Sequence, residues 1–115
     1  MLALEVTAVG AEPIKFTEAF HTYLGVVYAQ PGTITVADPA GGRTLDIAAE
    51  GSANAVVWNP WVAKSAAMSD FGDDEWMRMV CVETCNVLDA AVTLAPGESH
   101  TMTARITAAP LPGVA

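Results

Sequence analysis

The chain has 115 residues, 52% hydrophobic and 16% charged, which fits one folded domain with a modest core and excludes extensive disorder. A formal charge of −8, with five cations spread as Lys15, Arg43, Lys64, Arg78 and Arg105, argues against nucleic acid and anionic membrane surfaces as partners. No apolar run approaches the roughly 20 residues of a membrane helix, and no basic stretch precedes an apolar one near Met1, so a cytoplasmic protein is expected.

Taken in chain order, Leu2, Leu4 and Val6 alternate with Ala3, Glu5 and Thr7, the period-two pattern of a half-buried strand. After a turn at Gly10–Pro13, the run Phe16-Thr-Glu-Ala-Phe-His-Thr-Tyr23 sets one imidazole, His21, among apolar and β-favouring residues. Ile34 and Val36 alternate with Thr33 and Thr35, and Leu45 and Ile47 flank Asp46. Turn signals separate these runs at Gln30-Pro-Gly32, Asp38-Pro-Ala-Gly-Gly42 and Glu50-Gly-Ser-Ala-Asn54. Trp58 to Trp76 breaks the rhythm and reads as a long connection with one helical turn, the kind of loop that often carries function. Its acidic residues Asp70, Asp73, Asp74 and Glu75 do not have the spacing of a calcium loop and read as solvated charge.

The strand pattern returns at Met79-Val-Cys-Val-Glu-Thr-Cys-Asn86, with Glu83 as its titratable residue, and again at Val92–Leu94 and Met102–Ile106 around the turn Ala95-Pro-Gly97. Short strands at this spacing predict an antiparallel sandwich or barrel, all-β, as a single domain over 1–108 with a flexible tail over 109–115. Cys81 and Cys85 share one face of a strand but stand about 13 Å apart at ~3.3 Å per residue. That exceeds the about 7 Å limit for bridged Cα atoms, so two reduced thiols are expected. Nothing nearby completes a zinc set, and no metal site is expected.

A strand carrying an imidazole and another carrying a carboxylate can present an acid and a base to one ligand. Between them Val57-Trp-Asn-Pro-Trp-Val-Ala-Lys64 offers two indoles and an amide, Trp58, Trp61 and Asn59, suited to a polar, ring-shaped ligand such as a sugar. Each candidate also has a structural reading. His21 can be a satisfied histidine between Phe20 and Tyr23, and Glu83 a buried or strand-end carboxylate. The two tryptophans can be core, and Asn59 can cap the turn before Pro60. His100 follows a turn, has no identified partner and reads as surface.

Four strings in order, Phe-Thr-Glu-Ala-Phe-His-Thr-Tyr at 16–23, Val-Val-Trp-Asn-Pro-Trp at 56–61, Met-x-Asp-Phe-Gly-Asp-Asp-Glu at 68–75 and Val-Cys-Val-Glu-Thr-Cys-Asn at 80–86, resemble the C-terminal part of hexose-6-phosphate 1-epimerases. Those proteins belong to the aldose 1-epimerase, or galactose mutarotase-like, superfamily. The resemblance implies a truncated galactose mutarotase-like β-sandwich and a cofactor-free exchange of sugar anomers. In it His21 protonates the ring oxygen, Glu83 takes the anomeric proton and Tyr28 touches the substrate, beside the sugar-lining Trp58, Asn59 and Trp61 expected from the residues themselves. Two departures stand out. The family's N-terminal half, with its phosphate-gripping arginines, has no counterpart, and Val26-Val27 stand where an Asp-Arg pair precedes the retained Tyr28. A sandwich lacking half its sheet leaves an edge and an apolar face, so a homodimer that rebuilds them is expected. The alternative to an enzyme is a sugar-binding or protein-interaction module of the same fold.

Overall fold

The computed structural model describes residues 1–19, 26–29 and 32–113, with the side chains of Val26, Val27 and Tyr28 outside that description. In these residues the alternating runs become strands β1 (Leu2–Thr7), β2 (Ile14–Phe16), β3 (Glu18–Ala19), β4 (Val26–Ala29), β5 (Thr33–Asp38), β6 (Arg43–Glu50) and β7 (Asn54–Trp58). Helix α1 (Trp61–Ala67) and a 3-10 turn (Glu75–Arg78) precede β8 (Cys81–Asn86), and a second 3-10 turn (Leu88–Ala90) precedes β9 (Val92–Leu94) and β10 (Ser99–Pro110). Every pairing among them is antiparallel.

One four-stranded sheet has the order β1-β10-β6-β5, a second has β3-β8-β7-β4, and β2 and β9 form a two-stranded ribbon. The two larger sheets meet through β10. Asn86 of β8 lies against His100 and Met102 of β10, with its Nδ2 3.3 Å from the His100 ring and 3.9 Å from the Met102 sulfur. The expected β-sandwich is what forms. Its buried apolar residues are Ile47, Met102 and Ala104 on the first sheet, Ala55, Val56 and Cys85 on the second, Leu94 on the ribbon, and Ala8 just after β1. Among the described residues no helix is long and apolar enough to cross a membrane.

The second sheet covers one end of the first. Along one face of β10, exposure runs from 0% at Met102 through 6% at Ala104 to 59% at Ile106. Residues two apart on a strand share a face, so one apolar stripe passes from core to solvent. Leu2, paired with Ala104, is 55% exposed on the same stripe. The radius of gyration is 16.8 Å, against about 13 Å for a compact domain of this length.

Two features differ from the sequence expectation. The 58–76 connection holds a two-turn helix and a 3-10 turn rather than one helical turn. It is organised by the Asn59 carboxamide, whose Nδ2 donates to the Trp76 and Met79 carbonyls at 2.6 and 2.7 Å while its Oδ1 accepts from the Trp61 N–H at 2.8 Å. Further on, the buried Ser65 hydroxyl donates to the Gly72 and Asp73 carbonyls. Backbone-satisfying side chains of this kind replace a repetitive pattern, and so leave no periodicity to read. At the C-terminus, β10 runs through Pro110, past the boundary expected at 108. Ala109 and Pro110 pair with Thr44 and Arg43, and the Leu111 N–H bonds to the Gly42 carbonyl at 2.9 Å.

The β6–β7 turn depends on Gly51. Its φ is +71°, and a Cβ there would collide with the Thr101 carbonyl oxygen, a backbone atom that cannot rotate away. Left-handed backbone disfavours a side chain by roughly 1–2 kcal/mol before any clash, and the contact with β10 adds to it. Gly51→Ala is therefore expected to lower the free energy of unfolding by at least about 2 kcal/mol. Urea denaturation followed by circular dichroism checks this; an unchanged midpoint would show that the turn relaxes freely away from β10.

Candidate functional site

β8 is the strand on which the candidate site is built. It is paired on both sides, with Val56 of β7 opposite Glu83 and Ala19 of β3 opposite Cys85. Val82 and Thr84 suit a strand paired on both sides, and its last four residues, from Glu83 to Asn86, are all buried. Alternation puts Cys81, Glu83 and Cys85 on one face and Val82, Thr84 and Asn86 on the other. Glu83 is 3% exposed, and it borders a cleft of about 620 Å³ whose walls include Leu4, Phe16, Val56 and Leu88, with Glu18 as the second carboxylate.

The thiols on either side of Glu83 are shifted by their surroundings. Burial pushes Cys81 and Cys85 above the ordinary thiol range, and the neighbouring Glu83 carboxylate pushes both further in the same direction. Both cysteines are free, as the spacing argument expects, and both are protonated at neutral pH.

The other candidates divide. His21 lies outside the described residues. Tyr28 pairs through its backbone with Ala55 on the neighbouring strand. Trp58, half-buried, closes β7 opposite Cys81. Asn59 has its amide engaged by backbone as described above, and Trp61 is 66% exposed with its ring packed on Trp76 at a centroid distance of 4.6 Å and an angle of 46°. Trp61 also takes a left-handed backbone, φ +57°, at the first position of α1. Trp58, Asn59 and Trp61 do not line the 620 Å³ cleft, whereas Glu83 does.

The sequence reading misses a polar cluster at the end of β8, and His100 is corrected here from a surface residue to part of it. The His100 Nε2 is 2.7 Å from the Glu18 Oε1, with side-chain exposures of 22% and 3%, and Phe16 packs edge-on against the imidazole at 6.5 Å and 62°. Asn86 joins them: its Nδ2 donates to the same Glu18 oxygen at 2.8 Å and to the Gly51 carbonyl at 2.7 Å, and its Oδ1 accepts from the Ala53 N–H at 2.8 Å. The signal for Glu18 was a single carboxylate in the apolar run 16–23. His100 is separated from it by 82 positions, and no local pattern connects them.

Residues 26–107 match the family described as Aldose 1-epimerase. A Cenchrus ciliaris protein named “Putative glucose-6-phosphate 1-epimerase” is 42% identical over 90 residues, covering 73% of this chain and 27% of that protein. A Salmonella typhimurium protein of the same name is 41% identical over 59 residues, covering 50% of this chain and 20% of that protein. The chain thus spans about a quarter or less of the length of these relatives. In fold it is similar to a Salmonella typhimurium crystal structure described as “a putative mutarotase (YeaD)”, with a TM-score of 0.64 and 23% identity over 93% of this chain and 40% of that one.

If Glu83 holds its thiol neighbours protonated by charge, removing the charge releases them. In Glu83→Gln the pKa of Cys81 falls, more thiolate is present at a given pH, and alkylation by iodoacetamide at pH 8 is expected to be faster than in wild type. Cys85, fully buried, is expected to stay the slower of the two. Mass spectrometry of the two cysteine peptides over time measures both rates; equal rates in wild type and variant would mean that Glu83 is uncharged or remote.

Proposed function

Because this chain belongs to the aldose 1-epimerase family, we propose that it interconverts the α and β anomers of an aldose or a hexose 6-phosphate. The observation that carries the reading is a carboxylate, Glu83, held 97% buried on the wall of a cleft large enough for a pyranose. Glu83 takes the proton of the anomeric hydroxyl while His21 gives one to the ring oxygen, and the bond between C1 and that oxygen breaks to leave the open-chain aldehyde. Rotation about C1–C2 presents the other carbonyl face. The sugar hydroxyl then attacks C1, returning its proton to His21, and the new anomeric oxygen takes the proton from Glu83. Both groups end as they began, as acid–base catalysis requires.

Ala19, which pairs with Cys85, precedes His21 by two positions in the sequence, and Glu83 precedes Cys85 by two. Glu83→Gln and His21→Ala are each expected to slow anomer exchange by on the order of 10²–10⁴-fold. NMR saturation transfer on glucose and glucose 6-phosphate reads the rate directly. Variants that match wild type would remove the catalytic reading.

A second reading rests on Val26 and Val27, which occupy β4 opposite Val57 and Val56. They stand where the family resemblance implies an Asp-Arg pair, and such positioning groups supply a large part of a barrier. A sugar-binding or protein-interaction module without turnover is the form this reading takes, and it would show sugar-induced chemical-shift changes with no exchange above the uncatalysed rate.

Part of the proposal is a homodimer in a reducing compartment, the cytoplasm, where the free thiols Cys81 and Cys85 persist. Support for the dimer is the stripe of Leu2, Leu4 and Ile106 emerging from under the second sheet beside β1, an unprotected sheet edge. Light scattering coupled to size exclusion is expected to give twice the 12.0 kDa chain mass at micromolar concentration, and Ile106→Asp is expected to return it to one. A monomer for wild type at all such concentrations would discard the dimer.

A further inference from the structure

We propose that two copies of this chain pair antiparallel along β1 with Leu4 opposite Leu4, so that their first sheets join into one continuous sheet. This rests on the dimer reading and deepens it; anomer exchange plays no part. β1 is an edge of its sheet, and among the described residues it pairs only with β10. Natural edges are commonly shielded by lysine, proline or a covering loop. From Leu2 to Thr7, β1 has neither lysine nor proline, and every residue except Val6 is exposed. Each chain has a formal charge of −8, so a self-interface must avoid carboxylates, and Glu5 is the single charge on this strand.

The direction of the free backbone groups follows from the end of the strand. Ala8 donates its N–H to the Glu98 carbonyl, and its own carbonyl accepts from the Gly97 N–H, so both groups are spent on the chain that leads into β10. Bonded and non-bonded residues alternate along an antiparallel ladder. Val6, Leu4 and Leu2 therefore bond to β10, while Thr7, Glu5 and Ala3 turn their N–H and C=O groups to the open edge. A second β1 can bond to that edge only where outward-turned residues meet each other. Two such registers give the longest overlap. The one that overlaps residues 3–7 centres on Glu5 and sets like charges opposite each other, which destabilises it. The one that overlaps residues 2–6 centres on Leu4, with Leu2 opposite Val6 and Ala3 opposite Glu5, and contains no like-charge pair.

This register also covers apolar surface. Leu2 and Leu4, 55% and 37% exposed, lie opposite Ala104 and Met102 of β10 and share their face. At β5, the other edge of the sheet, the apolar residues Ile34 and Val36 are already half-buried. Leu4 and Val6 also form part of the wall of the cleft that Glu83 borders. Neighbouring strands lie about 4.8 Å apart, so Leu2 of the second copy stands beside Val6 on that face. Each copy thereby extends the cleft wall of the other.

Cysteine cross-linking reads the register. Leu4 opposite Leu4 is a non-hydrogen-bonded couple with Cα atoms about 4.5 Å apart, within disulfide reach. Under oxidised glutathione, Leu4→Cys is expected to form a covalent dimer on the order of tenfold faster than wild type, whose Cys81 and Cys85 set the background. In this register two copies of Ala3→Cys, or two of Glu5→Cys, hold their substituted positions about 8 Å apart, beyond that reach. Neither is expected to cross-link above background alone, but an equal mixture of the two variants is, because Ala3 faces Glu5. Glu5→Pro removes an outward N–H and leaves the bonds to β10 in place; it is expected to give the single-chain mass of 12.0 kDa with an unchanged circular dichroism spectrum. If wild type is a dimer and Glu5→Cys cross-links faster than Leu4→Cys, or neither Leu4→Cys nor the mixture exceeds background, this seam is overturned and the dimer reading stands. A wild type that is monomeric at micromolar concentration overturns both. Should Leu4→Cys not fold, the mixture decides alone under the same outcomes.

Discussion

The carboxamide of Asn86 bonds to two separate stretches of chain at once: the β6–β7 turn on both sides of Ser52, and the buried Glu18. Strand β8 is anchored at that residue, and Glu83 takes its place from the anchor. A buried amide with its strong hydrogen-bonding positions filled is a stringent constraint, because displacing it leaves several polar groups unsatisfied in a low-dielectric interior. The close approach of Gly51 to β10 belongs to the same constraint. The turn must carry no side chain for its carbonyl to reach Asn86 while its neighbour strand passes alongside.

Glu83 and Glu18 stand in different surroundings. Glu83 lies between two thiols, and burial together with this carboxylate raises both above the ordinary thiol range. Glu18 lies against an amide and an imidazole, each within hydrogen-bonding distance of the same carboxylate oxygen.

Much of the fold is legible in the sequence where a strand is half-buried. β1, β5, β6, β9 and β10 alternate cleanly, and β8 stands out by its apolar run with one carboxylate. β3 and β4 do not: two and four residues are too few to show a period, and β4 is apolar throughout. The helical content of 58–76 is also hidden, because Asn59 and Ser65 hold that segment through backbone carbonyls rather than an apolar stripe. Glu83 could be found from its neighbours along the chain. Glu18 with His100 could not, because contacts between remote strands appear only once the sheets are stacked.

β10 joins the polar anchor at His100 to the bare apolar end at Ile106 in one twelve-residue strand, its first half paired with β1 and its second with β6. Its side chains work as a single ruler, in which the spacing from His100 to Met102, Ala104 and Ile106 is counted in twos. A one-residue insertion or deletion anywhere between these marks would exchange Met102 for a threonine in the core and uncouple the anchor from the stripe at the same time. The hairpin at Asp38–Gly42, closed by the Asp38 carboxylate on the Gly41 N–H and Arg43, has no such count to keep. Length variation in descendants of this sequence is therefore tolerated in that hairpin and barred from the strand.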